Sequence, residues 1–202
     1  MIERFIMARF RTILADPPWH YSSSSGRDYK HGAGREYSTL TFDQLCGLRV
    51  ANVAQDNAAL VMWCTWPQLS EGIRLIEAWG FRYVTGFPWV KMWRATAPKR
   101  GMGFYTRSCS ECVLIGVRGV GMTPKPEKRQ IGIIFSPSGS HSKKPEEQYE
   151  FAEAYGGPFL EMFARPEPAG LFPPREGWTF IGSGVDGLDI TDALRLLAES
   201  EK

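Results

Sequence analysis

The sequence lacks the features of several common protein classes. No apolar run approaches the ~20 residues of a membrane span, and the first residues contain Glu3 and run directly into a strand, so we expect neither a membrane helix nor a signal peptide. Of the four cysteines, only Cys109 and Cys112 have metal-like spacing, and no second Cys or His pair accompanies them. We therefore expect structural thiols, no metal site and a reducing cytoplasm.

Length and composition predict one folded domain. The chain has 202 residues, of which 43% are apolar and 23% charged, and its net charge is only +2. These are ordinary values for a globular protein, and a chain of this length buries most of its apolar surface on folding. No internal repeat divides it, so we predict a single domain over residues 1–202.

Short apolar segments alternate with helical segments along the chain. Strands are predicted at 11–15, 58–64, 81–90, 110–117, 131–135, 158–164 and 178–182. Helices are predicted at 42–50, 67–79, 145–155 and 189–200, the first opened by a capping box between Thr41 and Gln44. The alternation predicts an α/β fold whose mostly parallel sheet is covered by helices on both faces. Such sheets bind ligands at the carboxyl ends of their strands.

The first predicted strand ends in Asp16-Pro17-Pro18-Trp19, the most informative stretch of the chain. The exocyclic amine of adenine is a poor nucleophile, and Asp16 and the Pro17 carbonyl can each accept one of its N–H groups, which aims its lone pair. Both prolines fix φ and stiffen the turn. Trp19 offers a face for stacking on a base. The turn therefore suits amino-group methylation, and the alternative is an ordinary strand-ending turn with a core Trp behind it.

Asp16-Pro-Pro-Trp19 resembles the motif of the MT-A70 family of adenine-N6 methyltransferases, and further elements similar to that family follow in order. They are Tyr37-Ser-Thr-Leu40, Leu60-Val-Met-Trp63-Cys-Thr65, Trp79-Gly80-Phe81, Trp89-Val90-Lys91, Glu111 to Gly119, His141-Ser-Lys-Lys144-Pro145, Glu161-Met-Phe163-Ala-Arg165, Gly177-Trp178 and Asp186-Gly187. The resemblance covers residues 12–187 and implies a Rossmann-like class I methyltransferase that uses S-adenosylmethionine.

No Gly-x-Gly turn precedes Asp16, so the cofactor half is expected to follow the catalytic half. This permuted order is also what the resemblance implies. By that resemblance, Lys144 pairs with the methionine carboxylate of the cofactor. By the same resemblance, the ribose side is assigned to Glu161, Arg165, Ser183 and Gly184, at the ends of the last two strands. Phe163 and Asp16 are further candidate cofactor contacts. The alternatives are a helix-flanking lysine at Lys144 and a solvent-exposed pair of Glu161 and Arg165. The eukaryotic pattern has Asn-Gln where this chain has Ser183-Gly184, so side-chain contacts there are in doubt.

Between Lys91 and Cys109 lie five basic residues, no acidic residue and several aromatics. This pattern suits a groove that follows phosphates and stacks bases, and Lys99, Arg100 and Arg107 are its candidate substrate contacts. The alternative is a solvated loop face. The segments 20–35 and 94–107 are expected beside the target adenine, with Tyr21 or Tyr37 lining its pocket, and the alternative for both is disorder.

The turn and the family resemblance together predict methylation of the N6 amine of adenine. A compact single-domain form of this family resembles bacterial or phage DNA methyltransferases, so DNA is the expected substrate. Low sequence specificity is expected because the chain has no obvious room for a target-recognition domain. Adenine methylation in RNA is the alternative within the same chemistry. A catalytically silent subunit that binds nucleic acid or a partner is the alternative from another class. The expected location is the cytoplasm of a bacterium or of a phage-infected host cell. Association of two chains as a homodimer is left open.

Overall fold

A computed structural model describes residues 9–20, 39–103, 105–138, 143–165 and 175–199. Its strands are β1 (Phe10–Ala15), β2 (Ala54–Cys64), β3 (Arg82–Arg94), β4 (Ala97–Pro98), β5 (Ser110–Arg118), β6 (Ile134–Pro137), β7 (Phe159–Met162) and β8 (Trp178–Ile181). Its α-helices are α1 (Phe42–Gly47), α2 (Leu69–Ala78), α3 (Glu147–Glu153) and α4 (Ile190–Glu199). Every predicted strand and helix is present, with ends shifted by a few residues.

All eight strands belong to one mixed sheet, in the order β4-β3-β5-β2-β1-β7-β8, with β6 also paired to β3. β1 is parallel to β2 and β7, and β7 is parallel to β8. β5 is antiparallel to both β2 and β3. The prediction of a mostly parallel sheet therefore holds for the strands from β2 to β8 and for the parallel pair β3 and β6. It is wrong for β5 and for the short β4, which run antiparallel to their neighbours. A parallel connection needs a long crossover, usually a helix, and the described residues between β3 and β5 contain none.

Helices cover both faces of the sheet, as the alternation of elements predicted. On one face, Leu45 of α1, Leu75 of α2 and Leu194 of α4 share a buried cluster with alternate residues of the central strands. On the other face, Ala152 and its neighbours on α3 pack against Trp63 and Trp89 among others. The sheet thus has two apolar layers, because successive strand side chains point to opposite faces.

Local sequence signals explain several element boundaries. The Thr41 hydroxyl accepts a hydrogen bond from the Gln44 backbone N–H, and the Gln44 side chain accepts one from the Thr41 N–H, so the predicted capping box is confirmed. β3 continues to Arg94, beyond its predicted end, because β4 and β6 both pair with its last residues. All four cysteines are unpaired thiols, and Cys64 lies opposite Cys112 in the β2–β5 register.

No helix in the described segments has both the length and the apolar character needed to cross a bilayer.

Candidate active site

The carboxyl ends of the parallel strands share one edge of the sheet, and the predicted site residues meet there. Asp16 follows β1, Phe163 follows β7, and Gly182 follows β8 at this edge. β5 is antiparallel to β2, so it begins at the same edge, close to Glu111. The segment that follows β3 also starts from this edge, because β3 is antiparallel to β5.

The turn after β1 is fixed by backbone hydrogen bonds. The Trp19 N–H donates to the Pro17 carbonyl at 2.9 Å, and the Leu40 N–H donates to the Pro18 carbonyl at 3.0 Å. A carbonyl oxygen has two lone pairs, so the Pro17 oxygen can still accept a second N–H. The turn therefore holds Asp16 and the Pro17 carbonyl in a fixed relation to each other.

Trp19 does not occupy the base-stacking position predicted for it. Its side chain is 7% exposed and belongs to the apolar cluster beneath the helices α1, α2 and α4. Its indole N–H donates to the Trp63 carbonyl at 3.4 Å. A ring with so little exposed surface has no open face for a base, so the structure corrects this prediction and gives Trp19 the core role that was its alternative.

Five charged side chains alternate in sign along the edge. The ammonium of Lys144 lies 3.1 Å from an oxygen of Asp16 and 3.2 Å from an oxygen of Glu111. Lys91 contacts the other oxygen of Glu111. The guanidinium of Arg165 lies 3.9 Å from the second oxygen of Asp16. The sequence of charges from Arg165 to Lys91 is therefore positive, negative, positive, negative, positive.

The charges of Lys144 and Glu111 maintain each other in a largely buried position. Burial lowers the pKa of Lys144, but the carboxylates of Asp16 and Glu111 outweigh it and hold that pKa above its ordinary value. Burial raises the pKa of Glu111, but the ammonium groups of Lys144 and Lys91 outweigh it and hold that pKa below its ordinary value. Lys144 is thus a cation and Glu111 an anion at neutral pH.

Glu161 lies at the end of β7 and is bound by a tyrosine from α3. The Tyr149 hydroxyl donates to Glu161 Oε2 at 2.7 Å. Burial and the negative charge of Glu161 raise the pKa of Tyr149, so the hydroxyl keeps its proton and remains a donor. Two residues further on, Phe163 has a φ of +62°, a conformation that costs energy for a residue with a Cβ and clusters at ligand sites.

Ser183 and Gly184 are exposed in the turn that follows β8, at the same edge. The preceding Gly182 is packed so tightly that a Cβ there would lie 2.4 Å from the Ala164 carbonyl oxygen. The turn after β8 therefore rests directly on the segment that carries Phe163 and Arg165. The predicted ribose-side residues are brought together, with an exposed backbone at Ser183 and Gly184.

The basic patch, defined as Lys99, Arg100 and Arg107, is exposed on the segment between β3 and β5. Lys99 donates to the Ser138 hydroxyl at 2.8 Å, next to β6. Two aromatic side chains beside the patch, Trp93 and Tyr105, are also exposed. The patch thus extends from the edge that carries Asp16. The predicted pocket residues Tyr21 and Tyr37 lie outside the described part of the chain.

Three residues of the site were not predicted as site residues from the sequence: Lys91, Glu111 and Tyr149. Lys91 and Glu111 lie inside motifs of the family resemblance, and that was the available signal. Tyr149 had none, because its contact with Glu161 joins α3 to β7 through the fold. No group of three or more His, Cys, Asp or Glu in the described ranges could hold a metal ion.

The fold is consistent with a Rossmann-like methyltransferase, with charged residues gathered at the carboxyl edge of a central sheet. The family model MT-A70 matches residues 10–184, and the chain belongs to the MT-A70 family. The chain is 33% identical over 200 residues to the Type II methyltransferase M.MunI of Mycoplasma sp, an alignment that covers 91% of this chain and 79% of that protein.

More distant relatives are much longer. The chain is 27% identical over 194 residues to the N(6)-adenosine-methyltransferase catalytic subunit METTL3 of Homo sapiens, and to the METTL3 subunit of Danio rerio. Each alignment covers 93% of this chain and 30% of the relative. The chain therefore corresponds to less than a third of these relatives.

Proposed function

We propose that this chain transfers a methyl group from S-adenosylmethionine to the N6 amine of adenine in DNA. The position of Asp16 is the main support: it is an acidic residue at the end of the central strand, fixed by a two-proline turn and held by a buried ammonium. Family membership and the likeness to a Type II methyltransferase and to N(6)-adenosine-methyltransferases agree with this activity.

The residues at the edge fit the chemistry of the cofactor. Lys144 offers a cation for its carboxylate, and Glu161 offers an acceptor for its ribose hydroxyls. Phe163 and Arg165 border the same region, and the exposed turn at Ser183 and Gly184 offers backbone groups. The cofactor supplies an electrophilic methyl group bound to sulfur. The half of the fold that would bind the cofactor follows the catalytic turn in the chain. We propose that this is the permuted order of a class I methyltransferase.

Asp16 and Pro17 orient the nucleophile. Asp16 accepts one N–H of the target amine and the Pro17 carbonyl accepts the other, so the nitrogen lone pair points at the methyl group. The amine would attack the methyl carbon directly as its bond to sulfur breaks, S-adenosylhomocysteine would leave, and the extra proton on nitrogen would pass to water. No covalent enzyme intermediate is needed. An adenine within a duplex must leave the base stack to reach this turn.

The proposed DNA site extends from this turn along the basic patch. Exposed cations attract phosphates without regard to sequence, which suits low specificity. Trp93 and Tyr105 replace Trp19 as the aromatic surfaces available to unstacked bases, because both are exposed. We place the enzyme in the cytoplasm, where bacterial or phage DNA is found.

The test is to incubate the purified chain with tritiated S-adenosylmethionine and, separately, duplex DNA, single-stranded DNA and RNA, followed by nucleoside analysis. We expect label in N6-methyldeoxyadenosine. Label only in RNA would support the alternative substrate. Binding of the cofactor without transfer to any of the three nucleic acids would support a catalytically silent subunit. Sedimentation of the same sample reports whether two chains associate.

A further inference from the structure

Lys144 has two carboxylate partners where a cofactor-binding lysine needs none. Its ammonium lies almost midway between Asp16 and Glu111, at 3.1 and 3.2 Å, and its side chain is only 12% exposed. An ammonium has three N–H donors, so it can bind both carboxylates and still donate to a third acceptor. The sharing with Glu111 has no role in the function proposed above.

Glu111 is held in place from the side opposite Lys144. Lys91 contacts its Oε1 atom, whereas Lys144 contacts its Oε2 atom. Both Lys91 and Glu111 lie on paired strands, since Glu111 of β5 is in register with Trp89 of β3. The carboxylate of Glu111 is therefore fixed by two strands and a cation, which makes it a rigid anchor for Lys144.

Without this anchor, Lys144 would have Asp16 as its one remaining acidic partner among these charges. The ammonium would then be compensated by Asp16 alone, because an opposite charge nearby favours the charged form of a buried group. The existing contact of Asp16 with Lys144 would tighten, which leaves the Asp16 carboxylate less available to a target amine and draws Lys144 off the position assigned to the cofactor carboxylate.

We infer that Glu111, anchored by Lys91, is a positioning residue that shares the Lys144 ammonium with Asp16, so that Lys144 stays in place for the cofactor carboxylate and Asp16 stays available to the target amine. This inference rests on the proposed function, since it assigns Lys144 to the cofactor.

The experiment is a double-mutant cycle that measures affinity for S-adenosylhomocysteine by calorimetry, a readout that requires no catalysis. Glu111→Gln keeps the side-chain shape and removes the charge, and we expect it to weaken binding about tenfold. Lys144→Ala should weaken binding at least as much. Because Glu111 acts through Lys144, the double variant should bind no more weakly than Lys144→Ala alone. Glu77→Gln, on the exposed side of α2, is the matched control and should bind like the wild type.

Wild-type affinity of Glu111→Gln would overturn the inference, and so would a double variant whose loss equals the sum of the single losses. Circular dichroism checks that each variant is folded. If Glu111→Gln does not fold, Lys91→Met carries the test, because it removes the cation that holds Glu111 and leaves both carboxylate partners of Lys144. Weaker binding would support the inference, and wild-type binding would overturn it. A wild-type chain that does not bind S-adenosylhomocysteine would instead refute the proposed function.

Discussion

Replacing Asp16 by Asn should reduce methyl transfer by about 100-fold or more while the chain stays folded. The substitution keeps the size of the side chain but removes its charge and replaces one acceptor oxygen by an NH₂ donor. The oxygen that remains is bound by the Lys144 ammonium, which contacts Asp16 Oδ1 at 3.1 Å, and the NH₂ group cannot accept an N–H from the amine. Losing one preorganised group that acts in the transition state costs about 2.7–4 kcal/mol, or roughly 10²–10³ in rate.

The stability cost of Asp16→Asn should be far smaller than the 3–5 kcal/mol typical of breaking a buried ion pair. That larger cost arises when the partner charge is left uncompensated, and here Lys144 keeps Glu111 at 3.2 Å. The contact of Asp16 with Arg165, at 3.9 Å, is long and partly exposed, so water screens it and it contributes little. We therefore expect a loss of about 1–2 kcal/mol in the free energy of unfolding, similar to one hydrogen bond.

The assay is single-turnover transfer of tritiated methyl to an adenine-containing oligonucleotide, with affinity for S-adenosylhomocysteine measured in parallel. Transfer should fall, and the affinity should change much less, because Lys144 retains its anchor. Asp43→Asn, on the exposed surface of α1, is the control for loss of one carboxylate. A variant that keeps more than about a tenth of the wild-type rate would remove Asp16 from the role of amine acceptor, given the loss expected from its removal.

Three further predictions concern the surroundings of the site. Neutralising the basic patch should weaken DNA binding about equally for all sequences and flatten the slope of log K against log salt by about 0.9 per lost phosphate contact in duplex DNA; an unchanged slope would make the patch a solvated face. Trp19→Ala should lower the free energy of unfolding in urea by about 3–5 kcal/mol, as for other buried aromatics, and a loss under about 1 kcal/mol would contradict its core role. Tyr149→Phe should weaken S-adenosylhomocysteine binding by about 0.5–1.5 kcal/mol, because Glu161 loses one hydrogen bond, whereas wild-type affinity in calorimetry would separate Tyr149 from the cofactor.

For the site residues that directly follow strands, the position in the fold was predictable from sequence. Asp16, Phe163 and Gly182 all follow short apolar strands, and parallel strands in an α/β fold bring their carboxyl ends to one edge. Strand period and the capping box at Thr41 sufficed for the elements themselves. The elements and the shared edge were predictable because each depends on local pattern and on one general rule of sheet topology.

The remainder depends on tertiary contacts that no local pattern encodes. Trp19 follows a turn, and a tryptophan in that position is equally compatible with a stacking surface and with the core; only packing under α1 and α2 decides between them. The direction of β5 follows from the short connection after β3, in which the described residues form no crossover helix. The pairing of Tyr149 with Glu161 requires α3 to lie over β7.

Strand periodicity places one of the ammonium groups at the edge over the apolar layer. Trp89 and Lys91 are two residues apart on β3, so they share a face, and the Lys91 ammonium lies 5.0 Å from the Trp89 ring. Trp63 of β2 lies beside Trp89, with ring centroids 5.6 Å apart, and its ring is 5.2 Å from the Lys144 ammonium.

The packing of Trp63 also explains how Lys144 reaches its position. The indole N–H of Trp63 donates to the buried side chain of Gln148 on α3 at 2.8 Å, which holds α3 against the sheet four residues after Lys144. Both rings are buried beneath the ammonium groups, and ion pairs are stronger in a low-dielectric environment. The Trp-x-Lys spacing therefore places the Lys91 ammonium over Trp89, and the position ahead of α3 places the Lys144 ammonium over Trp63. Both ammonium groups contact Glu111, the carboxylate that they share.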